Sequence, residues 1–275
     1  MATVRRLWIV PIVMGMTNKA ITARRERGQY WDRAWSLTSG CTPISPGCAH
    51  CSAAAETHMR SRRCNPDGWL TTDTGVFNGI VRVNTESRTK PLFVRRPTVW
   101  VTLNDLFHEH VSDDQIKATF SVMDSCQQHT FFVLTKRSSR MRQWCNLRPV
   151  KDVVPPGRNL WLGVTCEDQR HADKRIPDLL GTPAAHRYLN IEPLLEPISL
   201  YLPAAVGIDL IIVGCEFGPK RRPCDPKWIL SIVEQCKTAG VPCVVKQVSV
   251  DGRVSYDPSE WPCELRVRQW PETTA

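Results

Sequence analysis

The 275-residue sequence predicts an α/β fold: a partial (βα) barrel of about six to seven parallel strands. Three observations lead there. From residue 97 onward, short apolar runs rich in β-branched residues alternate with amphipathic stretches, the pattern of repeated βα units. The runs are continuously apolar rather than alternating, as expected of strands covered on both faces. Polar residues then gather just past the strand ends, at Asn104-Asp105, Thr135-Lys136, Thr165 to Glu167, Glu192 and Glu216. A barrel builds its sites at that mouth. An open sheet also binds ligands at strand C-termini and remains the alternative.

Residues 1–33 read as a basic N-terminal extension, and 34–247 as the barrel. Arg5-Arg6 before Leu7–Met14 imitates a signal peptide, but no small-residue cleavage site follows closely, and residues 1–15 need not belong to the native chain. A first strand is expected over Ala34–Thr38 and a helix over Ala49–Arg63, with a cysteine-bearing loop between them. Residues 64–97, rich in Gly, Thr, Arg and Pro, read as an insertion. Further strands are expected over Val99–Leu103, Thr130–Leu134, Leu160–Val164, Tyr188–Ile191, Leu210–Gly214 and Cys243–Val245. Ser112 caps a helix whose first turn carries Asp113 and Asp114. Helices also fit Glu167–Leu180 and Asp225–Ala239, the latter closed by Gly240. Residues 248–275 read as a β-rich tail, with a hairpin turn at Asp251-Gly252 and a strand over Glu264–Trp270.

The net charge of +9 is unevenly placed. Residues 1–96 hold 15 basic and six acidic residues, and the remainder is neutral. A polyanion is therefore expected at the first third. Arg60, Arg62, Arg63, Arg95 and Arg96 are candidate nucleic-acid contacts there, with Lys220, Arg221 and Arg222 adding phosphate contacts from the other side of the mouth. Aromatics interleave with these arginines, as on surfaces that stack bases. The bland reading of Arg60, Arg62 and Arg63 is that they complement a helix dipole. Twelve cysteines without a convincing secretion signal point to a reducing, cytoplasmic setting and to metal binding rather than disulfides. No run is long enough to span a membrane.

Cys41, Cys48 and Cys51 lie within eleven residues on a Pro/Gly loop that enters a helix. The positive helix end favours thiolates. Three cysteines leave one position of a [4Fe–4S] cluster open to a small molecule. The alternative is a closed zinc site completed by Cys64, or by His50 or His58.

The loop recurs in order with Asn104–Glu109, Leu134–Arg137, Leu162–Asp168, Asn190–Leu195, Val213–Gly218 and Val245–Gln247. In this the chain, from about Trp35 to Gln247, resembles the phage family of gene products 37 and 68, which looks like a branch of the radical S-adenosylmethionine (SAM) superfamily. Its C-x6-C-x2-C spacing departs from the usual C-x3-C-x2-C, and His50 stands where an aromatic residue precedes the last cysteine. The resemblance implies that Cys41, Cys48 and Cys51 bind three irons and that SAM chelates the fourth. Reductive cleavage of SAM would then supply a 5′-deoxyadenosyl radical.

On that analogy, Asn104 and Asp105 are candidates to bind the SAM amino group or ribose, and Lys136 its carboxylate. Glu167, Glu192 and Glu216 are candidates for ribose hydroxyls or substrate, and Gly214 and Gly218 for backbone approach to adenine. For each carboxylate the alternative is a structural ion pair with Arg137, Arg175 or Arg187. The expected activity is an isomerase- or lyase-class radical step that rearranges a nucleobase substituent or forms a carbon–carbon bond on it, in phage DNA-base hypermodification of the thymidine type, with a flipped or single-stranded nucleotide. A repair lyase acting on DNA photoproducts is the nearest variant, and a zinc-stabilised nucleic-acid-binding module is the non-enzyme reading. The expected electron donor is a flavodoxin or ferredoxin. The expected state is a monomer in the cytoplasm, that of the host if the chain is phage-encoded.

Overall fold

The computed structural model describes residues 28–64, 70–147, 159–202 and 207–271, with the side chains of 61–64 excepted. The basic extension up to Arg27, including Arg24 and Arg25, therefore lies outside the described residues.

Seven strands pair in parallel in the order of the chain, and an eighth closes the row antiparallel. The parallel strands are β1 (Arg33–Trp35), β4 (Val99–Thr102), β5 (Thr130–Thr135), β6 (Leu160–Thr165), β7 (His186–Ile191), β8 (Leu210–Gly214) and β9 (Cys243–Val250). β10 (Arg253–Ser255) folds back on β9 through the Asp251-Gly252 turn, where both residues adopt positive φ. The helices are α1 (Ser52–Cys64), α2 (Asp113–Ser125), α3 (Ser138–Asn146), α4 (Gln169–Leu180) and α5 (Pro226–Ala239). Among the described residues no helix is long and apolar enough to cross a membrane.

The apolar runs became strands because both faces are buried. On one face Trp100, Phe131, Val133, Leu162 and Ile211 join the larger core, which also takes in Ile116, Met141, Leu179 and Ile232 from the helices. On the other, Val99, Val101, Phe132, Trp161, Tyr188, Leu210, Ile212 and Val244 form a second cluster around Tyr30. Trp161 stacks on Phe132 with ring centroids 5.2 Å apart. Helix ends follow their caps. Ser112 and Gln115 form a reciprocal capping box, Asp168 and Asp225 accept backbone N–H bonds at the starts of α4 and α5, and Gly240 ends α5 at φ 69°.

Five differences from the expected elements stand out. The first strand is split: β1 ends at Trp35, and Thr38–Ser39 (β2) pairs instead with Arg82–Val83 (β3) of the insertion. Asn84 donates to the Ser36 carbonyl and so holds the chain off the sheet at that point. The helix after the cysteine loop starts at Ser52, because Pro46–Cys48 forms a single 3₁₀ turn first. α3 was not expected; its buried Met141, Trp144 and Cys145 follow helical spacing in an otherwise polar segment. In place of the strand expected over Glu264–Trp270, Cys263–Leu265 is a 3₁₀ turn, and Val267 and Gln269 exchange backbone bonds with β9. β9 itself runs to Val250, so the sheet crosses the expected boundary at residue 247.

Candidate active site at the strand C-termini

The cysteine loop leaves β2 and lies over the C-terminal ends of the parallel strands. Its midpoint rests on β6: Gly47 is buried, and a Cβ there would stand 3.1 Å from the carboxyl carbon of Glu167. Cys41, Cys48 and Cys51 are free and partly exposed, whereas Cys126, Cys145, Cys166, Cys215, Cys224, Cys236 and Cys243 are buried. Reactive thiols need such access.

Two arginines grip the loop from opposite sides. Arg137, just past β5, reaches its start. Its Nη1 lies 3.7 Å from Cys41 Sγ and 3.1 Å from Asp105 Oδ2. Its Nη2 donates to the Thr42 carbonyl at 3.3 Å, and Nε and Nη2 both meet the Glu109 carboxylate. Nearby, the His110 amide donates to His108 Nδ1, so His108 Nε2 carries the proton and donates to Thr42 Oγ1 at 2.9 Å. On the far side Arg222, past β8, donates to the Pro46 carbonyl at 3.1 Å and to Glu216, which also accepts from His50 Nδ1 at 3.0 Å.

These contacts set the protonation states. Burial, then the Asp105 charge, pushes the Cys41 thiol up to about 11, with Arg137 pulling the other way. The hydrogen bond from Arg137 holds Glu109 near 2. Burial first, then Arg137, lowers His108 to about 4. Burial alone would raise Glu216, but hydrogen bonds from Arg222 and His50 outweigh it and hold the carboxyl at about 2. Burial would likewise raise Glu167; Lys136, Arg175 and a hydrogen bond from Ser45 overcome it and keep the carboxyl below its usual range.

The candidate carboxylates are already partnered. Asp105 accepts from the Phe107 amide and Thr135 at Oδ1 and from the Lys136 amide and Arg137 at Oδ2, so both its oxygens are used. Glu192 holds Lys246 with both oxygens and also accepts from Gln247. Glu216 holds Arg222 and His50. Glu167, fully buried, pairs through Oε2 with Arg175 at 2.7 Å, and its Oε1 is left over. Of the ion-pair partners considered from sequence, Arg137 and Arg175 serve; the Arg187 guanidinium instead donates to the Leu179 and Thr182 carbonyls, and its backbone amide to Asp209. Lys136 is half-buried with no ion pair at its ammonium among the described residues.

Six buried oxygens at these strand ends have no hydrogen-bond partner of ordinary geometry among the described residues: Thr38 Oγ1, Thr102 Oγ1, Asn104 Oδ1, Glu167 Oε1, Asn190 Oδ1 and Gln247 Oε1. The amide orientations are set by their nitrogens, because Asn104 donates to Thr38 O, Asn190 to Glu192 O, and Gln247 to Glu192 and Cys215 O. The capacity left over is thus mainly acceptor capacity. Leaving such groups buried and unpaired costs about 1–3 kcal/mol each, so each calls for a hydrogen-bond donor, whether a water or a ligand atom. Asn104 also holds φ 59°, an uncommon backbone state for a residue other than glycine.

Two expectations change. The room left by Gly214 is taken by the chain itself: a Cβ there would meet the Gln247 amide at 2.8 Å. A register shift at Val213/Gly214 sets Gln247 opposite Gly214, and such a bulge re-aims side chains. The second change concerns charge. Arg95 and Arg96 immediately precede β4 and are exposed, so they stand at the strands' N-terminal ends, opposite the cysteine loop. Arg60 is nine residues beyond Cys51, about 13 Å along α1, and pairs with Glu56. The side chains of Arg62, Arg63 and Cys64 lie outside the described residues. Arg221 donates to the Gly218 and Gly252 carbonyls, Arg222 grips the loop, and Lys220 is exposed. Among the described residues, Arg95 and Arg96 therefore do not face the mouth.

Sequence reading missed Arg137, His108, Asn190 and Gln247 as site residues. Each adjoins or belongs to a strand-end block, which was the available signal; which of them turns toward the loop depends on sheet order and on the bulge. Among the described residues no three His, Cys, Asp or Glu side chains converge on a single metal ion. A cluster spaces its thiolates more widely, since each meets a different iron.

The class defined by this geometry is an α/β protein with a three-cysteine loop clamped over the C-terminal ends of a parallel sheet. Residues 26–266 match a family described as a protein of unknown function, DUF5131, and the chain belongs to that family. No curated protein and no solved structure matches it.

Proposed function

We propose that this chain is a radical SAM enzyme that holds one [4Fe–4S] cluster on Cys41, Cys48 and Cys51. The observation that carries the reading is the juxtaposition of three accessible thiols with the unpartnered acceptors at the strand ends. When bound, the cluster and SAM together supply a 5′-deoxyadenosyl radical. The chain's own part is to bind, orient and exclude water. The acceptors of Asn104, Glu167, Asn190 and Gln247 suit the ammonium and hydroxyl donors of SAM, and the ammonium of Lys136 suits its carboxylate. Asp105, Glu192 and Glu216 act through the residues they hold.

A partial barrel fits the same reading. Gly28 packs on the backbone of Lys246 in β9, while Arg33 opens β1 at the far edge of the parallel strands. Five residues reach at most about 18 Å. Seven strands laid flat would separate those edges by about 29 Å. A curled sheet, with residues 28–32 across its open side, accounts for that reach.

For substrate we favour a nucleic acid or modified nucleotide, with phage DNA-base hypermodification as the setting and a flavodoxin- or ferredoxin-like electron donor. Lys220 at the mouth and Arg95 and Arg96 on the opposite end make two separate basic surfaces. DNA affinity should fall steeply with salt, and neutralising the surface that meets phosphate should flatten that slope.

The test is anaerobic purification. The expected product is a brown protein with about four irons per chain that cleaves SAM when reduced. Cys41→Ala, Cys48→Ala and Cys51→Ala should each abolish both properties, and Cys64→Ala should spare them. A colourless protein holding one zinc and inert to SAM overturns the proposal.

A further inference from the structure

We propose that Arg137 is a positioning residue that pre-forms the cysteine loop and singles out Cys41 among the three thiols by a guanidinium hydrogen bond. The second half of this inference rests on the cluster reading above; the first half does not.

The geometry uses the whole guanidinium. Nε and Nη2 lie against Glu109, Nη1 against Asp105 and Cys41 Sγ, and Nη2 against the Thr42 carbonyl. Arg137 is only 9% exposed, so these bonds form away from bulk water. Asp105 is itself fixed by Thr135 and by the Phe107 and Lys136 amides, so the arginine is aimed before it meets the loop. Only a planar fork reaches two carboxylates, a carbonyl and a sulfur at once; a lysine ammonium offers a single point of charge. The other two cysteines lack this partner. Cys48 Sγ lies 3.6 Å from the neutral Ser45 hydroxyl, and no hydrogen bond to Cys51 Sγ occurs among the described residues.

Two consequences follow. Without any metal, the loop's first residues are held by Arg137, and the backbone bond from Gly79 N to Cys41 O depends on that hold. With a cluster, hydrogen bonds to ligating sulfurs are among the factors that set its reduction potential. A donor at one sulfur stabilises the more negative, reduced state and raises the potential.

The experiment compares the full-length chain with Arg137→Gln and Arg137→Lys. In the metal-free proteins, hydrogen exchange is measured at Gly79 and across Cys41–Cys51. Both variants should speed exchange there about tenfold, while exchange in β6 and α5 stays unchanged. In the iron-loaded proteins the midpoint potential is titrated. Arg137→Gln should move it to a more negative value, and Arg137→Lys, which keeps the charge, should restore part of the shift. Unchanged loop exchange in both variants overturns the proposal. Faster exchange with an unmoved potential overturns the role at Cys41. If Arg137→Gln does not fold, Arg137→Lys decides both measurements. If the wild-type chain takes up no iron, the cluster reading fails and the exchange result alone decides the clamp.

Discussion

The two sides of the cysteine loop are held by the same device in different surroundings. On each side an arginine, carried by a carboxylate at a strand end, reaches across to the loop backbone. Arg137 is nearly buried and braced by two acids, and it touches a cysteine sulfur. Arg222 is about a third exposed (32%), braced by Glu216 alone, and touches the Pro46 carbonyl. The first side sets the environment of Cys41; the second latches the turn before Cys48. Burial makes the difference, because an ion pair screened from water is costly to break by removing one partner, whereas an exposed one contributes little.

Removing the braces should separate the two sides most clearly. Asp105→Ala leaves Arg137, Thr135 and two backbone amides short of an acceptor, and should cost about 3–5 kcal/mol in urea unfolding. Glu216→Ala strips partners from Arg222 and His50, nearer solvent, and should cost about 1–3 kcal/mol. A reversed order would break the comparison. Gly47→Ala tests the ground between them: its Cβ would crowd Glu167, and a penalty of about 1–3 kcal/mol is expected.

Acid should loosen the sides in sequence. His108 has a folded pKa of about 4, below its ordinary 6.5, so its contribution is present above 6.5 and is lost as pH falls toward 4. Glu109 and Glu216 have folded values near 2 against 4.5, so theirs is present above 4.5 and is lost as pH falls toward 2. Relative to the intrinsic amide rates, exchange of the Thr42 segment should therefore quicken from about pH 6.5 downward, and the loss of Glu216's hold should quicken that of the Pro46–His50 segment below about 4.5. His108→Gln should abolish the first phase. The smallest effect is that of salt. Raising ionic strength from about 0.1 to 1 M shortens screening to about 3 Å, and should quicken exchange at the Arg222 side more than at the Arg137 side.

Much of the sheet was legible in the sequence. Val99–Leu103, Thr130–Leu134 and Leu210–Gly214 could be read because continuous apolar runs have few solutions other than a strand buried on both faces. α3 was not, since Met141, Trp144 and Cys145 sit among Arg, Gln and Ser and give a weak stripe. The first strand was read too long, because the residue that lifts Ser36 off the sheet, Asn84, lies 48 positions away. In the site, spacing exposed the three cysteines, and strand-end position exposed Asp105, Glu167, Glu192 and Glu216. Their partners were harder to read. Arg137, Arg140 and Arg142 share one basic segment, and only the packing of β5 beside β4 turns Arg137 toward Cys41 while Arg140 serves the Phe107, His108 and Val111 carbonyls.

By itself, the sequence determined the α/β class, the run of parallel strands, the helix caps and the cysteine loop between strand and helix. These are local properties of hydrophobic continuity, capping chemistry and spacing. The tertiary structure decided which charges meet. It sent Arg95 and Arg96 to the end of the sheet opposite the loop, filled the space at Gly214 with Gln247, and spent most of the strand-end carboxylates on arginine and lysine. The physical reason is that ion pairs and buried acceptors depend on distances of a few ångströms between residues far apart in the chain. Composition and spacing carry no record of those distances.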